Sequence, residues 1–164
     1  MPLVTAVVGA SMIARSARSS RTITAKQFFK APFATDLAAD EMLVEVRVPR
    51  LPTGHGYSFL EVSQRFGDRA LIAVGCTLTI RYGTCRDVRI GICDTINLAL
   101  RVATAEAVLE GKPISATAVE TVADAVTAAD DLHADEAYRR DVAATLTRRM
   151  LRVACARAGR AIVE

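Results

Sequence analysis

The sequence predicts an α+β fold in which a three-stranded antiparallel sheet is covered by three helices. Two observations lead to this prediction. Residues 57–92 alternate between apolar and polar side chains, with breaks at Gly67 and Gly83, as strands joined by short turns do. Residues 102–153 then place apolar side chains at helical spacing in three blocks. At 164 residues and 51% hydrophobic content, the chain is long and apolar enough to bury a core.

The first fifty residues show weaker patterns. Residues 3–14 are small and apolar, which suits either a helix or a strand. The polar stretch that follows is turn-like, and residues 28–43 are predicted to form a loop because Pro32 lacks a backbone donor and aspartates favour turns. In residues 43–49 the valines alternate with Glu45 and Arg47, which predicts a half-buried strand that ends at Pro49.

A stretch rich in proline and glycine, residues 49–56, predicts a linker and a domain boundary. It divides the chain into an incomplete first part, residues 1–50, and a second domain, residues 57–164. His55 lies between two glycines of this linker. We therefore expect its ring to be exposed and to have no functional role.

Three strands are predicted after the linker. Residues 57–65 form the first, and the break at Gly67 and Asp68 leads into the second. In the second strand one face is apolar, with small or polar residues on the other; the apolar members are Ile72, Val74, Cys76, Leu78 and Ile80. Val88, Ile90 and Ile92 line one face of the third. The apolar face of this meander must be covered by other elements.

The three predicted helices supply that cover. The first, residues 102–109, is expected to end at Gly111 and Pro113. Ser115 is the predicted N-cap of the second, whose apolar side carries Val119, Val122 and Val126. The third begins near Ala137, and its apolar stripe is predicted to comprise Tyr138, Val142, Leu146, Met150 and Val153.

Charge and cysteine content narrow the class of protein. The net charge of +3 is spread over the chain, which is too little to indicate nucleic acid binding. No apolar run is long enough to span a bilayer, so a soluble protein is expected. The basic residues near the N-terminus leave a mitochondrial presequence open, but the segment is taken here as structure. Without a C-x-x-C pair, the cysteines are predicted to be buried thiols in a reducing cytoplasm: Cys76, Cys85, Cys93 and Cys155.

No catalytic set is visible in the sequence. The chain has two histidines and neither a nucleophile elbow nor a G-x-x-x-x-G-K-[ST] or G-x-G-x-x-G loop. One acidic group has the composition of a metal site, but it lies just before the third helix and is expected to cap it: Asp130, Asp131, His133, Asp135 and Glu136. The arginines of that helix are expected to form a solvated face or a subunit contact: Arg139, Arg140, Arg148, Arg149, Arg152, Arg157 and Arg160.

Three pieces in a fixed order carry a resemblance to a known family. They are "TAKQFFKAPFATDLAADEMLVEVRVP" (24–49), "YSFLEVSQRFGDRALIAVGCTLTI" (57–80) and "DDLHADEAYRRDVAATLTRRML" (130–151). The chain resembles, from about residue 5 to its end, the flavin-carrying medium subunit of molybdenum hydroxylases, the carbon monoxide dehydrogenase medium-chain family.

The resemblance implies a cytoplasmic, heteromeric oxidoreductase. In such enzymes electrons leave a molybdenum-cofactor large subunit, cross iron–sulfur clusters in a small subunit and reach flavin adenine dinucleotide (FAD) in the medium subunit. It implies those two subunits as partners, FAD as the cofactor, possible homodimerisation, and no nucleic acid. The family's second domain is a C-terminal domain with an antiparallel sheet and three helices, preceded by a flavin-binding α/β subdomain.

The departures from the family qualify this picture. The family's two glycine-rich loops, which bind the flavin pyrophosphate, have no counterpart here, so residues 1–50 are expected to be the C-terminal remnant of the FAD-binding domain. The resemblance assigns Leu43 and Leu60 as flavin-approaching positions, and both are equally well explained as core residues. Arg65, Gly67 and Asp68 match a family motif and predict a tight turn. Two hypotheses stay open: a truncated oxidoreductase component, and an assembly module that docks on partner subunits without binding flavin.

Overall fold

The computed structural model describes residues 2–31, 33–65, 67–94, 100–124 and 135–159. The first part of the chain contains α1 (Pro2–Val8), β1 (Ser11–Arg15), β2 (Ser20–Thr24), α2 (Ala25–Phe28), β3 (Phe29–Ala31), β4 (Ala34–Thr35) and β5 (Met42–Arg47). The second part contains β6 (His55–Ser63), β7 (Ala70–Arg81), β8 (Thr84–Asp94), β9 (Leu100–Arg101), α3 (Ala103–Leu109), α4 (Ala116–Asp124) and α5 (Glu136–Arg157).

The ambiguous segment at the N-terminus is both helix and strand. Helix α1 ends at Val8 and is followed by Gly9, whose φ of 69° is left-handed, and the Ala10 N–H donates to Thr5 O over 2.9 Å. Strand β1 follows and lies at the centre of a sheet with the order β2-β1-β5. A small core beneath this sheet contains Met12, Ala14, Ile23, Ala25 and Phe28.

Two predictions for the first fifty residues were wrong. The expected loop contains the end of α2 and a β3–β4 hairpin, with Phe33 at its turn in a left-handed conformation (φ 61°). Strand β5 exists, but it is not half-buried, since all six of its residues are exposed. The reason is topological: β5 is an edge strand paired with β1 alone, and among the described residues no other layer covers it.

The meander predicted for the second part is confirmed, and a short fourth strand extends it. The order is β6-β7-β8-β9, and all neighbours are antiparallel. Strand β7 differs from the expectation because both of its faces are buried. One face contacts the helical core, whereas α1 packs on the other, where Leu3 and Val7 contact Ala73. The Thr77 hydroxyl donates to Val7 O over 3.3 Å, which satisfies the polar group on this covered face.

The helix termini follow the sequence signals. Gly111 after α3 has a φ of 75°, and Ser115 Oγ accepts the Ala118 N–H at the start of α4 over 3.1 Å. Asp135 Oδ1 accepts the Tyr138 N–H over 2.7 Å and caps α5. Val126 lies outside the described residues.

The predicted stripe of α5 was right only in part. Leu146 and Met150 are buried, but Tyr138 and Val153 are exposed by 47% and 38%. The buried residues of the helix are Arg139, Ala143, Leu146, Thr147, Met150, Leu151, Ala154 and Cys155. Arg139 is fully buried, which corrects its assignment to a solvated basic face.

Candidate cofactor-facing surface

An ion-pair network anchors the segment that leads into β5. Arg21 on β2 donates from Nε to Glu41 Oε1 over 2.7 Å and from Nη2 to Glu41 Oε2 over 2.8 Å, and its Nη1 donates to Asp36 Oδ2 over 2.9 Å. The Arg21 hydrogen bond lowers the pKa of Glu41 to about 2, and the Ala38 N–H bond acts in the same direction. For Asp36, Lys30 and then Arg21 lower the pKa. The network fixes the chain immediately before Leu43.

Leu43 lies beside a bulge at the outer strand of the N-terminal sheet. It pairs with Ala14, and the register with β1 shifts between Ile13 and Ala14, so that Val44 is the extra residue on β5. The Leu43 side chain is 37% exposed, although Ala14 is fully buried. Leu43 is thus available at the surface, and its contact with flavin stays a prediction.

Leu60 lies in the other sheet and points toward the helical core. It pairs with Val74 on β7 and packs against the core that α3, α4 and α5 cover. The structure therefore does not bring Leu43 and Leu60 together in one sheet. Leu60 is only partly buried, and its predicted flavin contact, like that of Leu43, stays a prediction.

The residue before Leu60 occupies a surface that the sequence reasoning missed. Phe59 pairs with Gly75 and lies on the opposite face of β6, where it is 45% exposed. Tyr57 lies on the same face and is 54% exposed. The signal was available, because period-two alternation places residues 57 and 59 on one face, opposite the small residues Gly75 and Thr77 of β7.

Helix α1 borders these aromatic side chains and forms an apolar groove with them. The groove has a volume of about 90 Å³ and is lined by Val4, Val7, Val8, Tyr57, Ser58, Phe59, Gly75, Cys76 and Thr77. At its rim, the Arg157 guanidinium lies 4.5 Å from the centre of the Tyr57 ring, and its Nη1 donates to Tyr57 O over 2.8 Å. Exposed Val4 extends the apolar surface. We call this α1–β6 region the aromatic groove.

His55 was predicted to be exposed, and this was wrong. It is the first residue of β6, and both ring nitrogens are buried without a hydrogen-bond partner in the described part of the chain. Burial lowers the pKa of the imidazole, Arg89 lowers it further, and Asp87 opposes the change. The prediction failed because His55 belongs to β6 and not to a linker, and its ring nitrogens are buried.

The turn after β6 has the geometry predicted for it. Gly67 has a φ of 81°, the Asp68 N–H donates to Arg65 O over 3.1 Å, and Ser63 Oγ donates to the same carbonyl over 2.8 Å. A left-handed glycine closes a tight turn at low steric cost. These residues position β7 and do not form a reactive group.

Neither the acids nor the thiols of the described residues form a metal site. No three His, Cys, Asp or Glu side chains within the described ranges are grouped to hold a metal ion. Asp135 is a helix cap, as predicted, while Asp130, Asp131 and His133 lie outside those ranges. Burial raises the pKa of Cys76 and of Cys155 to about 12, so both are protonated thiols. Cys85 is also buried, and Cys93 is half-buried.

The described residues fit one portion of FAD and not another. The aromatic groove offers an apolar face that one side of a planar ring can contact, although its volume of about 90 Å³ is well below the roughly 300–1,000 Å³ of ligand pockets. A pyrophosphate requires converging N–H donors or cations, usually from a glycine-rich loop before a helix. The printed sequence contains no such loop, so this portion does not fit.

Comparisons with known proteins give consistent matches along the chain. A model of the FAD binding domain in molybdopterin dehydrogenase matches residues 1–51, and one of the CO dehydrogenase flavoprotein C-terminal domain matches residues 57–154. The second alone covers more than half of the chain. Within the described ranges, no helix has both the length and the apolar character needed to cross a membrane.

Individual relatives agree with both models. The chain is 34% identical to the nicotine 6-hydroxylase medium subunit of Paenarthrobacter nicotinovorans, over 95% of this chain and 56% of that protein. It is 30% identical to the carbon monoxide dehydrogenase medium chain of Afipia carboxidovorans, over 96% and 56%. The chain therefore spans about half the length of the curated relatives it matches.

Solved structures have the same fold. Carbon monoxide dehydrogenase from Hydrogenophaga pseudoflava superposes with a TM-score of 0.89 at 31% identity, over 95% of this chain and 56% of that chain. Quinoline 2-oxidoreductase from Pseudomonas putida 86 superposes with a TM-score of 0.84 at 30% identity, over 96% and 56%. Similarity of this extent covers both the N-terminal sheet and the second domain.

Proposed function

This chain belongs to the CO dehydrogenase flavoprotein family, and from that membership we propose that it is part of the flavin-carrying component of a molybdenum hydroxylase. The observation that carries the proposal is the order of the two family matches, residues 1–51 and then 57–154. In this role residues 1–50 contribute the last part of the FAD-binding domain, and residues 57–164 form the C-terminal domain. Its partners are an iron–sulfur subunit and a molybdenum-cofactor subunit.

When bound, FAD supplies the redox chemistry, accepting electrons from the iron–sulfur side and passing them on. The polypeptide positions the ring and excludes water. Phe59 is better placed for this task than Leu60, because its side chain is exposed in the aromatic groove while Leu60 packs against the core. Leu43 offers a second, partly exposed apolar contact whose backbone is held by the Arg21–Glu41 pair.

FAD binding by these residues alone is weak in this proposal, because the pyrophosphate cradle is missing from the printed sequence. Residues that carry the glycine-rich loops, in the same polypeptide or in another, would complete the site. Charge-assisted hydrogen bonds to phosphates are roughly twice as strong as neutral ones, and the groove, which lacks them, is expected to hold only the ring.

An assembly module that docks on partner subunits without flavin is the second candidate. The observation in its favour is the exposed apolar surface formed by Val4, Tyr57 and Phe59, which is of the kind that protein partners bury. Arg157 at its rim adds a cation that a partner carboxylate can pair with.

Co-expression with the N-terminal half of a related medium subunit, such as that of nicotine 6-hydroxylase, separates the two candidates. The first candidate predicts a yellow complex that contains stoichiometric FAD, whereas this chain alone binds little. Phe59→Ala should reduce the FAD content of the complex, and Tyr138→Ala is the matched control, because Tyr138 is exposed to a similar degree (47% against 45%) on α5. A stable complex without flavin supports the assembly module instead.

A further inference from the structure

The C-terminal end of α1 packs against a charged side chain of β8. A Cβ at Gly9, the residue after α1, would overlap Arg89 Nη1 and lie 3.1 Å from Arg89 Cζ, so the guanidinium lies directly against the backbone there. A cation at this end of a helix is favourable, because the helix dipole is negative there. Thr77, which pairs with Arg89, donates its hydroxyl to Val7 O on the same face of the sheet. Arg89 and Thr77 thus join the end of α1 to the four-stranded sheet.

His55 lies on the same face of this sheet, close to the end of α1. It pairs with Thr79 of β7, which comes two residues after Thr77 and therefore lies on the same side. The Thr79 hydroxyl donates to Asp87 Oδ2 over 3.4 Å. Asp87 has a φ of 52° and lies where the register of β7 and β8 shifts. The residues His55, Asp87 and Arg89 therefore form one polar group beside α1.

The imidazole of His55 fits this position in its neutral form. The residue is half-buried, but both ring nitrogens are buried, and neither has a hydrogen-bond partner within the described ranges. A neutral ring leaves one donor and one acceptor unsatisfied, whereas a protonated ring would bury a charge with two unsatisfied donors. Burial and then the charge of Arg89 lower the pKa of His55, and Asp87 opposes them.

Two further cations lie on this side of the sheet, and α1 adds no charge to it. Arg81 ends β7, and alternation places it on the same face. Arg157 of α5 lies over the ring of Tyr57, two residues after His55 on β6. Glu61 is on this face of β6 as well, but six residues of strand separate it from His55 by about 20 Å. The surroundings of the ring therefore favour its uncharged form.

We propose that His55, Asp87 and Arg89 form an acid-sensitive joint between α1 and the four-stranded sheet. At neutral pH the uncharged ring leaves the Arg89 guanidinium in place against Gly9. Protonation puts a second positive charge beside this guanidinium. The repulsion is relieved when Arg89 leaves Gly9 for water, which loosens the end of α1. The joint connects the two parts of the chain that match different family models, residues 1–51 and 57–154.

The direction of the effect follows from proton linkage. The pKa of His55 in the folded protein lies below the ordinary value of 6.5, so the folded protein binds this proton less readily than the unfolded chain. The stabilisation from the neutral ring is therefore complete above the unfolded value and is lost as the pH falls through the folded one.

Hydrogen exchange of this chain between about pH 7 and pH 5, corrected for the intrinsic rate, tests the proposal without flavin. The expected result is a loss of protection in acid at Ala10, whose N–H donates to Thr5 O at the end of α1, while Met150 in α5 keeps its protection. His55→Gln cannot titrate and should abolish the loss. His133→Gln, which removes the other histidine of the chain, is the matched control and should retain it.

Asp87→Asn separates the charge from the packing. Asparagine has the same shape, tolerates the left-handed backbone and can accept the Thr79 hydroxyl, so the fold should be unchanged. Loss of the carboxylate should shift the His55 titration, followed by NMR of the ring C–H, to lower pH. A His55 titration at or above 6.5, or one that is the same in Asp87→Asn, would overturn the proposal.

The exchange data can overturn it as well. The joint does not exist if protection at Ala10 is independent of pH or if His55→Gln retains the loss in acid. An equal loss at Met150 would mean that the whole protein unfolds, which also contradicts a local joint. None of these results bears on the flavin proposal.

Discussion

The guanidinium of Arg139 on α5 donates through Nη1 to the carbonyl oxygen of Leu71 on β7 over 3.1 Å, and Arg139 is fully buried. The bond joins the start of the longest helix to the start of the central strand, 68 residues apart in sequence. This charged donor satisfies the carbonyl of Leu71, the extra residue where the register of β6 and β7 shifts between Val62 and Ser63. Arg139 is therefore a structural residue in a helix whose other arginines are mostly at the surface.

Replacing Arg139 should destabilise the domain. Arg139→Met keeps much of the side-chain volume but leaves Leu71 O without this donor, so the free energy of unfolding should fall by about 1.5–3 kcal/mol. Urea denaturation followed by circular dichroism measures the change. Arg140→Met is the control, because Arg140 is exposed and its loss should change little. Equal effects at both positions would contradict the structural role of Arg139.

The close approach of α5 to β6 depends on Gly56. A Cβ at Gly56 would overlap the carbonyl oxygen of Ala154 and lie 2.9 Å from its carbonyl carbon. Both atoms are backbone, so the helix would have to move. Gly56→Ala should therefore lower the free energy of unfolding by about 1–3 kcal/mol. The matched control is Gly75→Ala, whose Cβ would have ordinary contacts of 3.6 Å with Leu3 and Val7. A thermal melt in which Gly75→Ala is the more damaging of the two would contradict this packing.

The sequence predicted the second domain better than the first because its signals are local. Caps such as Ser115, Gly111 and Asp135 act within one turn, and alternation along one strand defines its faces. Alternation of apolar and polar residues does not show whether another element covers the apolar face. For this reason β5 was predicted to be half-buried, although it is exposed. The small residues Gly75 and Thr77 on the second face of β7 make room for α1, and alternation alone does not reveal this cover. Arg139 was misplaced because an arginine at helical spacing normally faces water.

The candidate site was harder to predict because it depends on how strands face each other. The resemblance supplied Leu43 and Leu60. Adjacent residues on a strand lie on opposite faces, so Phe59 lies on the face of β6 opposite to that of Leu60. Only the pairing of β6 with β7 shows that Phe59 is exposed beside α1 while Leu60 packs against the core. Both leucines stay predictions, and the exposed aromatic pair extends the region to be tested.

Stability at acidic pH should depend on Glu41. Its pKa is lowered to about 2 in the folded protein from an ordinary value near 4.5. Since the folded-state pKa is depressed, its contribution is complete above the unfolded pKa and is lost as the pH falls from about 4.5 toward 2. Glu41→Gln should flatten the pH dependence of the unfolding midpoint in that interval, and Glu61→Gln is a control outside the network. An unchanged profile in Glu41→Gln would show that the pair with Arg21 does not form in solution.

Thiol labelling should follow burial. The raised pKa of Cys76 and Cys155 and the burial of Cys85 make these thiols poor nucleophiles at neutral pH. Cys93 is half-buried and should react first with iodoacetamide, whereas all four should react in denaturant. Mass spectrometry of the native and unfolded protein measures the difference. Rapid labelling of Cys76 in the native state would show that the core opens easily.

The edge of β8 gives the most local test of the structure. Glu110 accepts the Val88 N–H, and Glu106 accepts the Ile90 N–H while also pairing with Arg101 over 2.7 Å. Removing the Glu110 carboxylate leaves the Val88 amide to solvent, so Glu110→Ala should accelerate hydrogen exchange at Val88 but not at Ile90.

Glu106→Ala should show the reverse, with faster exchange at Ile90 and unchanged exchange at Val88. Glu110→Gln keeps an acceptor oxygen and should retain most of the protection at Val88. Each carboxylate accepts one of the two backbone N–H groups. The increases in exchange rate at Val88 and Ile90 should therefore be separate, and additive in the double variant. If both amides lost protection together in either single variant, the edge would open as one unit, and the side chains would not act as individual caps.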